Sequence, residues 1–193
     1  AEEPLPGKIT GTKTISEVDA VEWKLSNGAT VIVKTTDFKD DEILFTAYSQ
    51  GGNSLYGQKD DISADIATTI LSTSGIADFD KITLDKMLSD KVFSLSPYIS
   101  DINEGFSGNS SIQDAETLFQ MLYLYFTRQR IDPVSYSSYI NRMKGMLENK
   151  KASPEAAFQD TFLVTSSNYH PRKRPMSAEL LDEAKLDRIA QIN

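Results

Sequence analysis

The segment DISADIATTILSTSGI, residues 61–76, has apolar residues that recur at helical spacing. A helix formed by this segment would bury one apolar face, and Gly75 is a typical residue for ending it. The segment follows the strand-like run ILFTAYS and the glycine-containing turn SQGGNS. Its only ionisable side chains are Asp61 and Asp65. Two carboxylates are few for a catalytic or metal-binding helix, so its role has to be established. The residues of the apolar face are Ile62, Ile66, Ala67, Ile70 and Leu71.

Upstream of this segment, Asn27-Gly28 separates two runs of β-forming residues. An Asn-Gly pair between such runs is the strongest short-range signal for a β-hairpin. The first run alternates apolar and charged residues, which predicts a strand with one buried face. The preceding segment AEEPLPGKITGTKT contains Pro4, Pro6 and Gly7 and shows no hydrophobic period, so we expect a linker or arm over residues 1–18.

Downstream, VFSLSPYIS and EGFSGNS are interpreted as paired strands, and Pro97 predicts an edge position for the first. The rest of the chain has helical patterns, two of which open at Asp132-Pro133 and Ser153-Pro154. Strands come early and long helices late. This order predicts an α+β fold in which helices pack on one face of an antiparallel sheet. We expect residues 19–193 to form a single domain.

Composition excludes several classes of protein. The 193 residues have a formal net charge of -8, which argues against a nucleic-acid-binding protein because phosphate binding needs a basic surface. No apolar run approaches the roughly 20 residues of a membrane-spanning helix. The absence of cysteine excludes disulfides, thiolate metal sites and a cysteine nucleophile. The one dense basic run, residues 172–174, is interpreted as a solvated loop.

The side chains that could support catalysis are few. Catalytic zinc needs about three protein ligands, whereas His170 is the only histidine and is interpreted as a surface or hinge residue. Asp60, Asp61 and Asp65 form a dense carboxylate group, but acids at a helix start complement the helix dipole. They also lack the spacing of a calcium loop. No serine lies in a nucleophile-elbow pattern. The residues alone therefore predict a non-catalytic domain.

The order of the segments resembles the pitrilysin/insulinase (M16) family of zinc peptidases, most of all its bacterial periplasmic-type members. The resemblance runs from about Val21 to the C-terminus and rests on the ordered set rather than on any one motif. In the family the helix after the glycine-rich turn carries HxxEH in the active domain. The matching segments are LSNGATVIV, AYSQGGNS, SGI, AETLFQMLYLYFT, SPEAAFQD and NYHPRKRP.

Placed on the family pattern, the HxxEH positions fall on Asp65, Thr68 and Thr69. The downstream glutamate ligand falls near Gly145 or Met146. Glu148 is about two residues out of register, which on a helix is a rotation of roughly 200° away from the site. A hydroxyl does not replace imidazole on zinc, and threonine is no general base. The resemblance thus implies no catalytic residue and no metal ligand here, and it assigns no substrate-binding residue.

The resemblance also implies a setting for the chain. Family enzymes repeat this domain, with zinc only in the first copy. We expect the first domain of a C-terminal half, with residues 1–18 joining the halves and the last strands of the sheet missing after Asn193. Missing strands would leave a sheet edge unpaired, which predicts self-association or a covered edge. No cofactor is expected in this segment, while zinc is expected in the catalytic domain of the parent protein, a zinc metalloendopeptidase of the bacterial periplasm or cell envelope.

Three functions follow from these observations. The leading one is a non-catalytic domain that helps to enclose and position peptide substrate, with the catalytic half of the same polypeptide as partner. The alternative is a catalytically silent binding or scaffold subunit that assembles with a separate partner. The third is an enzyme with unrelated chemistry at Asp60, Asp61 and Asp65. An upstream HxxEH domain in the same gene separates the first two, and a metal titration tests the third.

Overall fold

The computed structural model describes residues 7–192. The chain divides into two compact units, Ala1–Asp41 and Glu42–Asn193. Residues 1–6 of the expected linker lie outside the described residues. No helix in the described range is long and apolar enough to cross a membrane.

The first unit is a three-stranded antiparallel sheet in the order β1-β2-β3. Its strands are β1, Ile9–Ile15, β2, Ala20–Leu25, and β3, Thr30–Val33. The predicted hairpin at Asn27-Gly28 is confirmed. Gly28 takes a φ of 88°, which favours glycine, and Oδ1 of Asn27 accepts a hydrogen bond of 3.1 Å from the Ala29 amide.

The segment expected to be a linker or arm, residues 1–18, contains a strand over residues 9–15 that the sequence analysis did not predict. Strand β1 pairs antiparallel with β2, and Thr12 lies opposite Trp23. Strand β1 has the sequence ITGTKTI, in which β-branched threonine stands at every second position between two isoleucines, and such residues favour an extended strand.

The second unit contains another three-stranded antiparallel sheet, in the order β4-β6-β5. Its strands are β4, Ile43–Gln50, β5, Phe93–Ile99, and β6, Asn103–Ser110. Pro97 lies on β5 at the edge of this sheet, as predicted. The one sheet expected from the sequence is therefore two three-stranded sheets. The hydrophobic period that predicts each strand does not specify which strands pair with which.

The described part of the second unit contains seven helices, two between β4 and β5 and five after β6. Two open as the sequence predicts: the Asp132 side chain accepts from the Ser135 amide at 2.8 Å, and Ser153 accepts from Ala156 at 3.3 Å. A 3₁₀ turn covers Gly52–Leu55. The helices are α1, Asp61–Ser74; α2, Lys81–Met87; α3, Ala115–Thr127; α4, Pro133–Lys150; α5, Pro154–Ser166; α6, Ala178–Leu181; and α7, Leu186–Ile192.

Helix α1 lies at the centre of the core of the second unit. All five residues of its predicted apolar face are at most 3% exposed. One cluster joins this helix to α4, α6 and α7, and a second joins its C-terminal end to α3 and the sheet. Phe45 contacts Phe119 edge-on with centroids 5.6 Å apart, which places α3 against one face of the sheet. The α+β prediction, with helices on one sheet face, is confirmed.

Candidate functional site

The three positions that the family resemblance assigns to the zinc motif, Asp65, Thr68 and Thr69, lie on the solvent side of α1. Asp65 and Thr69 are exposed, and Thr68 is half-buried. The apolar residues between them on the helix face the core, so the helix presents these three side chains away from it. One carboxyl and two hydroxyl groups do not form a zinc ligand set, for which imidazole and carboxylate groups are typical.

The carboxyl group of Asp65 is hydrogen-bonded by the side-chain amide of Asn53, which carries no charge. Nδ2 of Asn53 donates a hydrogen bond of 2.6 Å to Oδ1 of Asp65. Desolvation by the surrounding protein raises the pKa of Asp65, and the nearby carboxylates of Asp61 and Asp101 raise it further. The carboxyl of Asp65 therefore ionises less readily than a free aspartate.

The two aspartates at the start of α1 are both paired with arginine. Nε and Nη2 of Arg188 each lie 2.8 Å from an oxygen of Asp60, a bidentate arrangement that lowers the pKa of this carboxyl. Nη1 of Arg172 lies 3.2 Å from Oδ1 of Asp61, which is 4% exposed as a residue. The interpretation of these acids as simple complements of the helix dipole is thus incomplete. Their partners come from the C-terminal segment.

The basic run at residues 172–174 is not a free solvated loop. Arg172 also donates to the backbone oxygens of Asn53 and Tyr56. Nζ of Lys173 lies 3.4 Å from Oδ2 of Asp101. Nη1 and Nη2 of Arg174 each lie 3.2 Å from one carboxylate oxygen of Glu183. The loop therefore binds three separate parts of the second unit. Sequence patterns did not reveal this, because Asp61 and Asp101 are 111 and 72 positions away and the pair of Arg174 with Glu183, nine positions on, follows no recognisable spacing.

The expected positions of the downstream ligand lie on α4. Gly145 and Met146 are exposed, and Glu148 is exposed and pairs with Lys151 at 3.1 Å. His170 is exposed, and its Nδ1 accepts a 3.3 Å hydrogen bond from the Arg172 amide. Within residues 7–192, no group of three or more His, Cys, Asp or Glu side chains could hold a metal ion. These residues do not fit zinc, and we derive no zinc chemistry for them.

Comparison with known proteins identifies relatives that match most of the chain. No family model matches the chain. The chain is 34% identical over 146 residues to the zinc protease PQQL-like of Arabidopsis thaliana, an alignment that covers 75% of this chain and 15% of that protein. It is 26% identical over 129 residues to the probable zinc protease PqqL of Haemophilus influenzae, covering 67% of this chain and 14% of that protein.

Solved structures show the same fold. The periplasmic protease PqqL from Escherichia coli superimposes with a TM-score of 0.81 at 18% identity, covering 100% of this chain and 21% of that one. The peptidase M16 inactive domain from Pseudomonas fluorescens gives a TM-score of 0.71 at 14% identity, covering 90% of this chain and 42% of that one. The chain is an M16 zinc-protease-like domain.

The M16-like domain spans about a seventh of the length of the curated relatives it matches, 15% and 14% respectively. Another structure with this fold is a variant of the ferredoxin protease FusC in complex with Arabidopsis ferredoxin, with a TM-score of 0.79 at 18% identity. In the M16-like domain described here, the sequence correctly predicted α1. The assignment of Asp65, Thr68 and Thr69 to the zinc-motif positions rests on the resemblance and stays a prediction.

Proposed function

We propose that this chain, with residues 19–193 as one domain, is a non-catalytic part of an M16 zinc metallopeptidase. It would form part of the wall of the chamber that encloses and positions peptide substrate. The observation that carries the proposal is the set of side chains that α1 presents to solvent. At the positions expected for HxxEH it presents Asp65, Thr68 and Thr69, which can neither hold zinc nor act together as ligand and base.

The acids around these positions support the same proposal. Asp60 and Asp61 are engaged by Arg188 and Arg172. A metal would have to displace two guanidinium groups to reach them, one of which is held to Asp60 by two hydrogen bonds of 2.8 Å. This argues against unrelated metal chemistry at the acidic group. Zinc, in this proposal, belongs to the catalytic domain of the parent protein, which is the partner of this one.

The sheet of the second unit offers surfaces for peptide. Strands β4 and β5 are its two edges, and an extended peptide can add to such an edge through backbone hydrogen bonds. By analogy with the family, the β5 edge around residues 93–99 is a candidate. Pro97 removes a backbone donor from that strand, whereas β4 contains no proline. Strand β4 is therefore the better acceptor for an added strand.

One observation favours the alternative, a catalytically silent subunit that assembles with a separate partner. Helix α5 buries none of its residues, and Phe158 and Phe162 are 69% and 64% exposed with their rings stacked 6.3 Å apart. Exposed aromatic pairs of this kind are typical of protein–protein contacts. Either function requires a second protein body. The full reading frame distinguishes the two functions. An HxxEH domain encoded in the same frame favours the peptidase domain, and its absence favours the separate subunit.

A location in the bacterial periplasm or cell envelope is part of the proposal. It is supported by the similarity to the periplasmic protease PqqL of Escherichia coli.

The test uses the purified 193-residue chain and an unfolded, internally quenched peptide. We expect binding of the peptide without hydrolysis, whether zinc is added or not, because α1 lacks the ligands. The measurement is fluorescence release for turnover and anisotropy of a singly labelled peptide for binding. Chelator-sensitive turnover that copurifies with the chain would contradict a non-catalytic role. Absence of peptide binding would contradict the role in positioning substrate.

A further inference from the structure

Strand β4, Ile43–Gln50, is an edge of the second sheet whose outer side has no strand beside it. Within residues 7–192, this strand pairs only with β6, and no backbone hydrogen bond joins it to a turn or a loop. Its sequence, ILFTAYSQ, contains no charged residue and no proline. Proteins usually protect a long edge strand with lysine, proline or a bulge. The β4 edge has none of these and is a template for pairing with another strand.

The other sheet edges among the described residues carry the protection that β4 lacks. Strand β5 contains Pro97, which has no N–H to donate. Strand β1 contains Lys13 and has a register shift between Ile9 and Gly11. Strand β3 has only four residues. Pairing between molecules is therefore expected at β4 rather than at the other three edges.

Strand β4 is complementary to itself in one antiparallel register. Residues that face each other across two strands lie on the same face of the sheet, so a pair with twofold symmetry must be centred on a residue. Centring on Thr46 places Leu44 opposite Tyr48 of a second copy, and Phe45 opposite Ala47. Leu44 is 79% exposed and Tyr48 is 73% exposed, so each would cover the other. The large ring of Phe45 would face a small side chain.

The neighbouring symmetric register is less favourable. Centring on Ala47 places Leu44 opposite Gln50 of the second copy, and Phe45 opposite Ser49. Each large apolar side chain would then face a polar one, which loses the apolar cross-strand contact. Registers centred further from the middle of β4 pair fewer residues. The strand thus favours the register centred on Thr46.

The acidic residues before β4 do not oppose this pairing locally. In the register centred on Thr46, Glu42 of one copy lies beside Gln50 of the other. The two Glu42 positions are then about 27 Å apart along the strands, well beyond the screening length of about 8 Å at physiological salt. The Glu42 carboxylate also accepts a 3.1 Å hydrogen bond from Asn109 of its own sheet. Repulsion between copies therefore comes mainly from the net charge of -8 on each, which salt screens.

We propose that two copies of this chain associate through their β4 edges, centred on Thr46, so that two three-stranded sheets form one six-stranded antiparallel sheet. The contact uses the same edge on both copies, so association stops at two. The edges that remain at the ends of the joined sheet are the β5 strands, where Pro97 removes a donor. The proposal goes beyond the proposed function and does not rest on it.

The size of this contact predicts a weak dimer. Tyr48 can bury about 150 Å² on each copy, given roughly 200 Å² for a fully exposed aromatic side chain. With Leu44 and the strand backbone added, the total stays below the about 1,200 Å² at which stable interfaces begin. The dimer should therefore dissociate on dilution. Its dissociation constant should fall as NaCl is raised, since salt screens the repulsion between the two acidic copies.

The first experiment is sedimentation velocity of the 193-residue chain between about 1 and 300 µM. The test variants are Thr46→Lys and Thr46→Glu, which place like charges directly opposite each other across the twofold axis. The matched control is Ser96→Lys. Thr46 and Ser96 are both exposed and both lie opposite Ser107, on the two edges of the same sheet. Circular dichroism checks that every variant is folded.

We expect each Thr46 variant to dimerise at least about tenfold more weakly than the unaltered chain, and Ser96→Lys to dimerise equally well. An equimolar mixture of Thr46→Lys and Thr46→Glu should regain the dimer, because opposite charges then face each other. This recovery separates a lost contact from a damaged fold.

The second experiment tests the register by cross-linking. The chain has no cysteine, so Thr46→Cys introduces a single thiol. Directly opposite residues of an antiparallel pair have Cα atoms about 4.5–5.5 Å apart, which is within the range that a disulfide spans. In a glutathione redox buffer, Thr46→Cys should form a covalent dimer at least about tenfold faster than Ser96→Cys.

Three results would overturn the proposal and leave the proposed function standing. The first is a chain that stays monomeric throughout the concentration range. The second is a dimer that Thr46→Lys and Thr46→Glu leave unchanged, above all one that Phe158→Ser with Phe162→Ser abolishes, since the contact would then lie on α5. The third is equal cross-linking of Thr46→Cys and Ser96→Cys. Growth into species larger than a dimer would overturn the symmetric contact as well.

Discussion

Nη1 of Arg172 lies 3.2 Å from Oδ1 of Asp61, joining two residues that are 111 positions apart in the chain. The Asp61 side chain is only 6% exposed, and the same guanidinium donates to the backbone oxygens of Asn53 and Tyr56. The loop after α5 is thus tied to the start of α1. A buried carboxylate at the start of α1 is therefore paired with an arginine from the C-terminal part of the chain.

Replacing Arg172 is expected to destabilise the fold strongly. Arg172→Met leaves the Asp61 carboxylate buried without its partner, which typically costs 3 to 5 kcal/mol, and we expect about 3 kcal/mol because Arg172 is 32% exposed. Urea unfolding followed by circular dichroism measures the change. The matched control is Lys173→Met, whose pair with Asp101 is exposed and should contribute less than about 1 kcal/mol. Equal stability of the two variants would show that the Asp61 contact is not structural.

Asp60 is expected to stabilise the fold at neutral pH. The hydrogen bonds from Arg188 lower its pKa below the ordinary 3.8, so the folded state favours the ionised form. Its contribution is present above about pH 3.8 and is lost as the pH falls through the lower folded value. Asp60→Asn should therefore lower the Tm at pH 7, and the difference should shrink as the pH falls below 3.8. A Tm difference that grows on acidification would contradict the sign.

Asp65 is expected to behave in the opposite way. Desolvation raises its pKa above 3.8, so the ionised form costs stability once the pH exceeds the folded value. Asp65→Asn should raise the Tm at pH 7 and have little effect below about pH 3.8, where both forms of the chain are neutral at this position. The amide oxygen of the new side chain can still accept from Asn53. Thermal unfolding at pH 7 and pH 3 tests this, and a lower Tm at pH 7 would show that the charge is stabilising.

The sequence predicted the parts of the fold that depend on local pattern. The spacing of Ile62, Ile66 and Ile70 specified the buried face of α1, and all three are at most 3% exposed. Asn27-Gly28 specified its hairpin, since a turn with positive φ has few alternatives. Pro97 indicated an edge strand because proline has no backbone N–H to donate to a neighbouring strand. Each of these signals acts over a few residues, so it is visible without the rest of the chain.

The features that the sequence did not reveal depend on distant partners. Arg188 and Asp60 are separated by 128 positions, and no period or spacing connects them. The division of the strands into two sheets likewise depends on pairing between segments rather than on the pattern within one. The zinc-motif positions were assigned only through the resemblance to a family, because threonine at positions 68 and 69 gives no chemical signal of its own.

Gly75 is expected to be required where α1 ends. It has a φ of 88°, and a Cβ there would lie 2.2 Å from the backbone oxygen of Phe79. Gly75→Ala should therefore cost more than about 2 kcal/mol in the free energy of unfolding, since both backbone strain and a clash with main chain oppose it. Gly57→Ala is the control, because a Cβ at that position meets nothing within 4 Å. Similar stabilities for the two variants would show that the turn after α1 can rearrange.

Restoring the motif residues of α1 alone is not expected to create a peptidase. The variant Asp65→His, Thr68→Glu, Thr69→His supplies two imidazoles and a general base, but catalytic zinc needs a third protein ligand. Glu148 remains in this variant, so its activity tests directly whether that residue can reach the metal. We expect no chelator-sensitive hydrolysis of an unfolded peptide and only weak zinc binding, measured by competition with a chromophoric chelator.

Adding Gly145→Glu to the triple variant is expected to tighten zinc binding at least about tenfold, since it supplies a carboxylate at one of the two positions that the resemblance proposes for the downstream ligand. A Cβ at residue 145 meets nothing within 4 Å, so the change is sterically permitted, and it replaces a glycine inside helix α4. Met146→Glu in the same background tests the neighbouring register. If the triple variant alone hydrolysed the peptide, Glu148 would be the ligand, and the placement of the downstream position at Gly145 or Met146 would be wrong.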